Sequence, residues 1–386
     1  MSASVLVLTN AYPDYEGSYH GIFVRRTAEE LGSLGWHSRI LVPRVFPQSL
    51  STESFPSHSV GRFPFPSAGK LLIEYPDVPV FRISCLLVSG LWTALRTVRA
   101  QDCRLIHAHW AFPAGLIGLA AARLTGKPLM LTVHGSDWRM AAGRGGAIRK
   151  AFLAVAGASG RIISVSPEIT GWMTDNGIDR AKIFTRPVGV DLNVFGGDKT
   201  TDLDNRPEGS VVSTRNLTEP YRVGDLVGAA AILKDRTPSL SLRLAGDGAL
   251  KEELERKAKR CGLDRAVSFC GRLSQELLAE ILGKSRVYVS TSPVEGTSIS
   301  LLEAMASGCL PVVTDIPANR DWITHGENGL LFPPGDIDLL ASCLERALRD
   351  KPLERRAHES GKNTVRERGD FAAHVALTDR LYRELL

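Results

Sequence analysis

At 386 residues, the chain has the length of two domains at roughly 100–200 residues each. A composition of 44% hydrophobic, 23% charged and 7% aromatic residues excludes a disordered chain, a collagen-like fibre and a disulfide scaffold. The net charge of +5, from 47 Lys and Arg against 42 Asp and Glu, is too small to imply nucleic acid.

Short β-rich apolar runs alternate with longer amphipathic stretches. In the first half, Val5–Thr9, Ser38–Pro43, Leu105–His109, Leu129–His134 and Arg161–Val165 are predicted strands, and Gly21–Gly35, Leu86–Gln101, Gly115–Thr125 and Gly146–Gly157 carry helical spacing. The second half repeats the style with strands at Gly209–Arg215, Leu240–Gly246, Val267–Gly271, Val287–Ser290 and Leu310–Thr314. Its helices begin near Val223, Leu250, Ser274, Ser300 and Ile337. Apolar strands alternating with helices mean parallel sheets covered on both faces. The polar stretch Gly196–Gly209 is the best linker, and a final helix near Asp370–Leu386 could pack back across the join. The expected fold is α/β, two Rossmann-like domains at 1–190 and 191–369, with 370–386 returning to the first and ligands held in a cleft beyond the strand ends.

The charge is uneven. Residues 1–190 hold 20 basic and 12 acidic side chains, leaving 27 and 30 for the remainder. A basic first half suits an anionic partner such as a membrane surface or a phosphorylated substrate. The six cysteines show no CxxC spacing and read as buried free thiols of a reducing compartment. The start, MSASVLVLTNAYP, reads as a strand rather than a leader, and the apolar runs Cys85–Leu95 and Ala114–Ala122 fall short of the roughly 18–20 residues that span a bilayer. A cytosolic chain that does not cross a membrane is expected.

The densest chemical signal is VEGTSISLLEAMASG, Val294–Gly308, between a predicted strand and a predicted helix. A turn over Gly296–Ser300 would aim backbone N–H groups and a positive helix end at one point, as diphosphate sites do. Glu295 and Glu303 are carboxylates suited to accept from sugar hydroxyls. Ser300 and Glu303 also fit a capping box, with Ser300 as N-cap and Gly308 as the helix stop, so the residues alone leave both readings of Glu303 open.

Glu295 and Glu303, with seven residues between them in EGTSISLLEAMASG, resemble the signature of retaining glycosyltransferases of family 4. The likeness extends over nearly the whole chain through NAYPDYEGSYHGIFV, IHAHWAFPAG, TVHGSD, RPVGVDLNVF, LRLAGDGALKEELE, VSFCGRLS and PVVTDIPANRDWITHGENGLLF. It implies the GT-B fold of two facing Rossmann-like domains. It further implies transfer of a hexosyl unit, with retention, from a nucleoside diphosphate sugar to a glycan or lipid-linked acceptor in polysaccharide or glycolipid biosynthesis. A UDP-sugar is expected ahead of a GDP-sugar.

Carried over by residue, the resemblance puts Glu295 on hydroxyls of the transferred hexose and Glu303 on the ribose. Gly296, Thr297, Ser298 and Ile299 would hold the diphosphate and sugar. His134 matches the histidine that reaches the donor sugar near the reacting centre, and Asp137 is a weaker match that also fits a helix cap. Gly17 and Gly21 resemble a glycine loop that lets backbone approach phosphate, with Gly21 opening the helix GIFVRRTAEEL. Arg215 fits the arginine of the phosphate clamp. The lysine expected a few residues on is Tyr221, with Arg222 beside it to pair with phosphate. That departure keeps open an alternative: a weak or inactive GT-B subunit binding nucleotide or glycan within a synthase.

Asp202-Leu-Asp204 and Asp336-Ile-Asp338 mimic a metal-binding DxD. The first lies in the linker and the second begins a helix, so no obligatory metal and no other cofactor is expected. Residues 139–161 carry Arg139, Arg144, Arg149, Lys150 and Arg161 without an acid, beside apolar Ile148, Phe152, Leu153 and Val155. Such a segment could lie on the anionic inner face of a membrane; the competing reading is a core helix with a basic edge.

Overall fold

The computed structural model describes residues 3–15, 18, 20–70, 80–144, 146–196 and 202–386. Gly17, residues 71–79 and residues 197–201 of the polar linker lie outside them. The chain divides into two compact units, Met1–Arg186 with Ala373–Leu386, and Pro187–Ala372.

The first unit is built on strands β1 (Ala3–Leu8), β2 (Trp36–Arg44), β3 (Thr52–Ser54), β4 (His58–Pro64), β5 (Cys103–His109), β6 (Leu129–Val133), β7 (Arg161–Ser164) and β8 (Ile183–Thr185). They lie in the order β3-β4-β2-β1-β5-β6-β7-β8, parallel throughout except for the β3–β4 pair. Val5, Leu6, Leu105, Ile106, Met130 and Leu131 are at most 0% exposed, as strands covered on both faces require. Helices α1 (Ile22–Ser33), α2 (Val80–Ala100), α3 (Ala114–Thr125), α4 (Ser136–Arg144), α5 (Gly146–Ala158) and α6 (Pro167–Asp175) connect them. Strand order reverses between β1 and β5, the place where such sheets hold ligands. β3 and β8 escape the sequence reading because edge strands lack the apolar run, Thr52 and Ser54 of β3 being exposed; β4, paired between β3 and β2, escapes it because it alternates polar with buried residues.

One expectation is corrected here. The apolar run at 85–95 lies within a 21-residue helix, Val80–Ala100, long and apolar enough by length and composition to cross a membrane. Its buried face, Leu86, Gly90, Ala94 and Val98, packs against α3, β2 and β4, so it is a layer of the α/β unit.

The second unit comprises α7 (Leu192–Phe195), β9 (Ser210–Ser213), α8 (Val223–Leu233), β10 (Ser241–Ala245), α9 (Lys251–Arg260), β11 (Val267–Gly271), α10 (Gln275–Gly283), β12 (Val287–Ser290), α11 (Ile299–Ala306), β13 (Leu310–Thr314), α12 (Pro317–Arg320), β14 (Leu330–Phe332), α13 (Ile337–Arg349) and α14 (Lys351–Arg368). Its six strands are ordered β11-β10-β9-β12-β13-β14, with the reversal between β9 and β12. The first crossing between units falls after Arg186, ahead of the polar stretch Gly196–Gly209. The physical reason is that Val190 pairs with Asp370 and Phe195, 2% exposed, sits in the second core with Leu301 and Met305.

Two buried arginines tie this unit together. Arg206 donates to the carbonyls of Ser285 (2.6 Å), Ser307 (2.7 Å) and Gly308 (3.0 Å). Arg286 grips both oxygens of Glu354 at 2.7 Å, joining β12 to α14. That helix has the polar sequence KPLERRAHESGKNTVRER and forms because Asp350 caps it and Leu353, Ala357, Gly361 and Val365 present one buried stripe. Helix α15 (Phe371–Leu385) returns to the first unit, where Trp36 Nε1 donates to Asp379 (2.7 Å) and Tyr382 hydroxyl meets His107 Nδ1 (2.7 Å).

Candidate functional site

Each unit places polar side chains at the strand-order reversal of its own sheet. In the second unit, Arg215 follows β9, and Ser290 ends the adjacent β12. Arg215 Nε donates to Ser290 Oγ (3.0 Å), and its Nη2 reaches both Ser298 Oγ and Glu295 Oε1, the latter at 2.6 Å. The arginine side chain is 9% exposed and that of Glu295 13%. The contact with Glu295 is an ion pair without in-line hydrogen-bond geometry, and among the described residues nothing donates a hydrogen bond to Glu295 Oε1. Burial opposes the charge on Arg215, but Glu295, then Tyr288, Tyr221 and Glu303, outweigh it and hold the guanidinium above its ordinary pKa. The structure thus brings Arg215, Glu295, Glu303 and the 296–299 turn into one charged cluster.

The helix following the turn corrects the expected cap. Its N-cap is Ser298, whose Oγ accepts from Leu301 N at 3.3 Å, and the helix runs Ile299–Ala306. Ser300 lies inside the first turn, so Ser300 and Glu303 do not form a capping box. Ser298 Oγ serves twice, as helix cap and as acceptor for Arg215, which fixes the turn of Gly296 and Thr297 against β9.

Tyr221, standing where a lysine was expected, sits over the Arg215 guanidinium at 5.5 Å, and its carbonyl accepts from Thr291 (2.7 Å). Arg222 has φ 51, precedes α8, and pairs with Asp225 at 2.8 Å. Its charge stands at the start of α8, beside Gly335.

In the first unit, Gly21 opens α1 at φ +62, and a Cβ there would stand 2.1 Å from the Ala11 carbonyl oxygen. Only glycine allows that approach of the helix start to the segment after β1. Asn10 donates to the Phe112 carbonyl (2.8 Å) and accepts from Ala114 N (3.2 Å), linking the ends of β1 and β5. His134, just after β6, meets His109 Nδ1 through Nε2 at 3.0 Å and packs against Phe23 and Trp110, with centroids 4.7 and 4.5 Å away. Burial, with His109 and His374 adding to it, keeps His134 neutral, and burial followed by His374 pushes His109 down to about 3. Asp137 is 2% exposed. Its carboxylate accepts from Ala111 N (2.7 Å) and Gly135 N (3.1 Å), so it holds the β6–α4 turn around His134 and presents no open face to a ligand.

Sequence reasoning missed Ser290 and His109. Ser290 is signalled only by its place at the end of a strand. His107 and His109, two apart in an otherwise apolar strand, share one face; their rings lie 4.3 Å apart.

The segment 139–161 forms parts of α4 and α5 with the following turn. Phe152 and Val155 are core residues, and Ile148 and Leu153 pack against that core, so its apolar side is turned inward and a basic edge faces solvent. Asp336 caps α13 by accepting from Leu339 N (2.9 Å), and Asp204 pairs with Arg355 (3.0 Å).

Two α/β units, each built on a largely parallel sheet whose strand order reverses once, have the architecture of a GT-B glycosyltransferase, and comparison with known proteins agrees. Residues 20–194 match the Glycosyltransferase Family 4 profile and residues 204–364 the Glycosyl transferases group 1 profile. The chain belongs to this glycosyltransferase family. It is 34% identical over 140 residues to EpsD of Bacillus subtilis (provisionally a glycosyltransferase), a match covering 36% of each chain. It is 25% identical over 405 residues to the MMP α-(1→4)-mannosyltransferase of Mycolicibacterium hassiacum, covering 95% of this chain and 94% of that one. Among solved structures, sucrose-phosphate synthase of Thermosynechococcus elongatus superposes with a TM-score of 0.80 at 21% identity over 99% of both chains. HepE of Anabaena, solved with UDP and glucose, superposes at 0.73 and 17% identity over 99% of this chain and 100% of that one.

Proposed function

We propose that this protein transfers a hexosyl unit, with retention, from a nucleoside diphosphate sugar to a glycan or lipid-linked acceptor during polysaccharide or glycolipid assembly. A UDP-sugar is favoured as donor ahead of a GDP-sugar, a choice that the UDP held by the structural relative HepE supports. The observation that carries the reading is Glu295: a nearly buried carboxylate whose Oε1 is held by the Arg215 guanidinium at 2.6 Å, in the turn that leads into α11. A carboxylate fixed by one cation keeps lone pairs with which to accept from sugar hydroxyls.

In this reading Glu303 takes the ribose hydroxyls, while the amides of Gly296, Thr297, Ser298 and Ile299 and the positive end of α11 hold the diphosphate. Arg215 keeps Glu295 in place and adds positive charge beside the leaving group, and Arg222 offers a second cation at the start of α8. Gly21 admits backbone to the donor, His134 orients the sugar as a neutral imidazole, and Asp137 positions His134. The acceptor oxygen forms its bond to the anomeric carbon from the face on which the carbon–oxygen bond to diphosphate breaks. The acceptor proton passes to the departing phosphate oxygen. These groups neutralise the leaving diphosphate without an obligatory metal.

The test is thermal stabilisation by UDP, GDP, ADP and CDP, with and without magnesium. A diphosphate at 100 times its dissociation constant adds about 2.7 kcal/mol. Selective, magnesium-independent stabilisation by UDP is the expected result, and Glu295→Ala should abolish transfer. Indifference to all four diphosphates overturns the proposal.

A further inference from the structure

The solvent side of α2 is apolar where a surface helix is ordinarily polar. Val80 is 72% exposed, Phe81 78%, Val88 71% and Trp92 60%. Phe81, Val88 and Trp92, seven and then four positions apart, form one stripe opposite the buried face of Leu86, Gly90, Ala94 and Val98. The stripe then becomes cationic: Arg96, whose guanidinium stacks 4.6 Å from the Trp92 ring, and exposed Arg99. No acid occurs between Val80 and Gln101.

We propose that this face of α2 is a docking surface for an anionic lipid bilayer, with the helix lying in the plane of the interface. Its buried face belongs to the α/β core, so the helix cannot leave to span the bilayer, but its outer stripe can enter the headgroup–acyl boundary. An apolar stripe with an indole at that depth and arginines alongside has the composition of interfacial helices. Charge selects this occupant over a second copy of the chain, which would bring the same arginines and no acid to the contact. The surface is distinct from 139–161, whose apolar residues face the core, and the inference does not depend on the proposed transfer reaction.

The experiment is flotation of the full chain with vesicles of phosphatidylcholine alone or in equal mixture with phosphatidylglycerol. The protein should float with the mixed vesicles, fail to float with the neutral ones, and be released by high salt. Replacing Phe81, Val88 and Trp92 together by serine should weaken binding at least about tenfold. Arg96→Glu with Arg99→Glu should do the same. These residues are exposed, so both variants should keep the wild-type unfolding temperature and response to nucleoside diphosphates. Three results overturn the proposal: wild-type protein that does not float, a serine variant that floats as well as wild type, or equal binding to neutral and anionic vesicles. A serine variant that floats normally but converts a dimer to a monomer in analytical ultracentrifugation also overturns it, by assigning the face to self-association.

Discussion

Arg215 and Glu295 come from opposite sides of the strand-order reversal in the second sheet, and their charged atoms meet at 2.6 Å. The sequence resemblance gives them separate duties, phosphate for one and sugar for the other; the structure couples them. Removing either partner leaves a mostly buried charge, so Arg215→Ala and Glu295→Ala should each destabilise the second unit. In a double-mutant cycle read by urea unfolding, the pair should couple by about 1–3 kcal/mol. Strict additivity would show that the pair does not act as a unit.

The cap assignment separates two neighbouring serines. Ser298→Ala should cost about 1 kcal/mol, more if Arg215 loses an acceptor as well, while Ser300→Ala should stay within a few tenths. Thermal unfolding of the two variants is the measurement, and an equal effect would restore the capping box.

Gly21→Ala meets both a left-handed backbone and the Ala11 carbonyl at 2.1 Å. The backbone conformation alone costs roughly 1–2 kcal/mol, and the collision adds to it. A lowered unfolding temperature is expected, whereas Gly126→Ala, with φ +69 but open space around it, should cost only the backbone part.

Glu354→Ala strands the Arg286 guanidinium, 7% exposed on its side chain. A loss of about 3–5 kcal/mol is expected, read as a shifted denaturant midpoint with no change in nucleotide preference.

The buried histidines set the acid response of the first unit. Burial holds His107, His109 and His134 neutral, while in the unfolded chain each takes a proton near pH 6.5. The unfolded state therefore binds more protons as pH falls below that value, so stability is fully present above it and declines toward about 3, the value for His109. Each group contributes a slope of up to about 1.4 kcal/mol per pH unit. Urea midpoints between pH 7 and 4 should fall accordingly, and His109→Gln should flatten the fall.

The central strands were legible because burial on both faces leaves a continuous apolar run, as in VLVL of β1 or VYVS of β12. So was the turn at 296–299, since the strand before it and the helix after it are both strongly patterned. The edge strands β3 and β8 were not, because an edge needs no such run; nor was β4, which alternates polar with buried residues, nor the full length of α2, whose outer face departs from amphipathic spacing. Ser298 and Ser300 are both plausible caps by type; only the path of the chain out of β12 chooses between them.

Sequence by itself determined the alternation of strand and helix, the positions of the two glutamates and the glycine opening α1, because these depend on residue type and local spacing. Tertiary structure alone decided that Arg215 faces Glu295, that Asp137 serves two backbone amides, that His109 stands against His134, and that α5 hides its apolar residues while α2 exposes them. Each of those facts depends on parallel strand order, which brings residues from 25 to 80 or so positions apart to one sheet end, and no local pattern encodes that order.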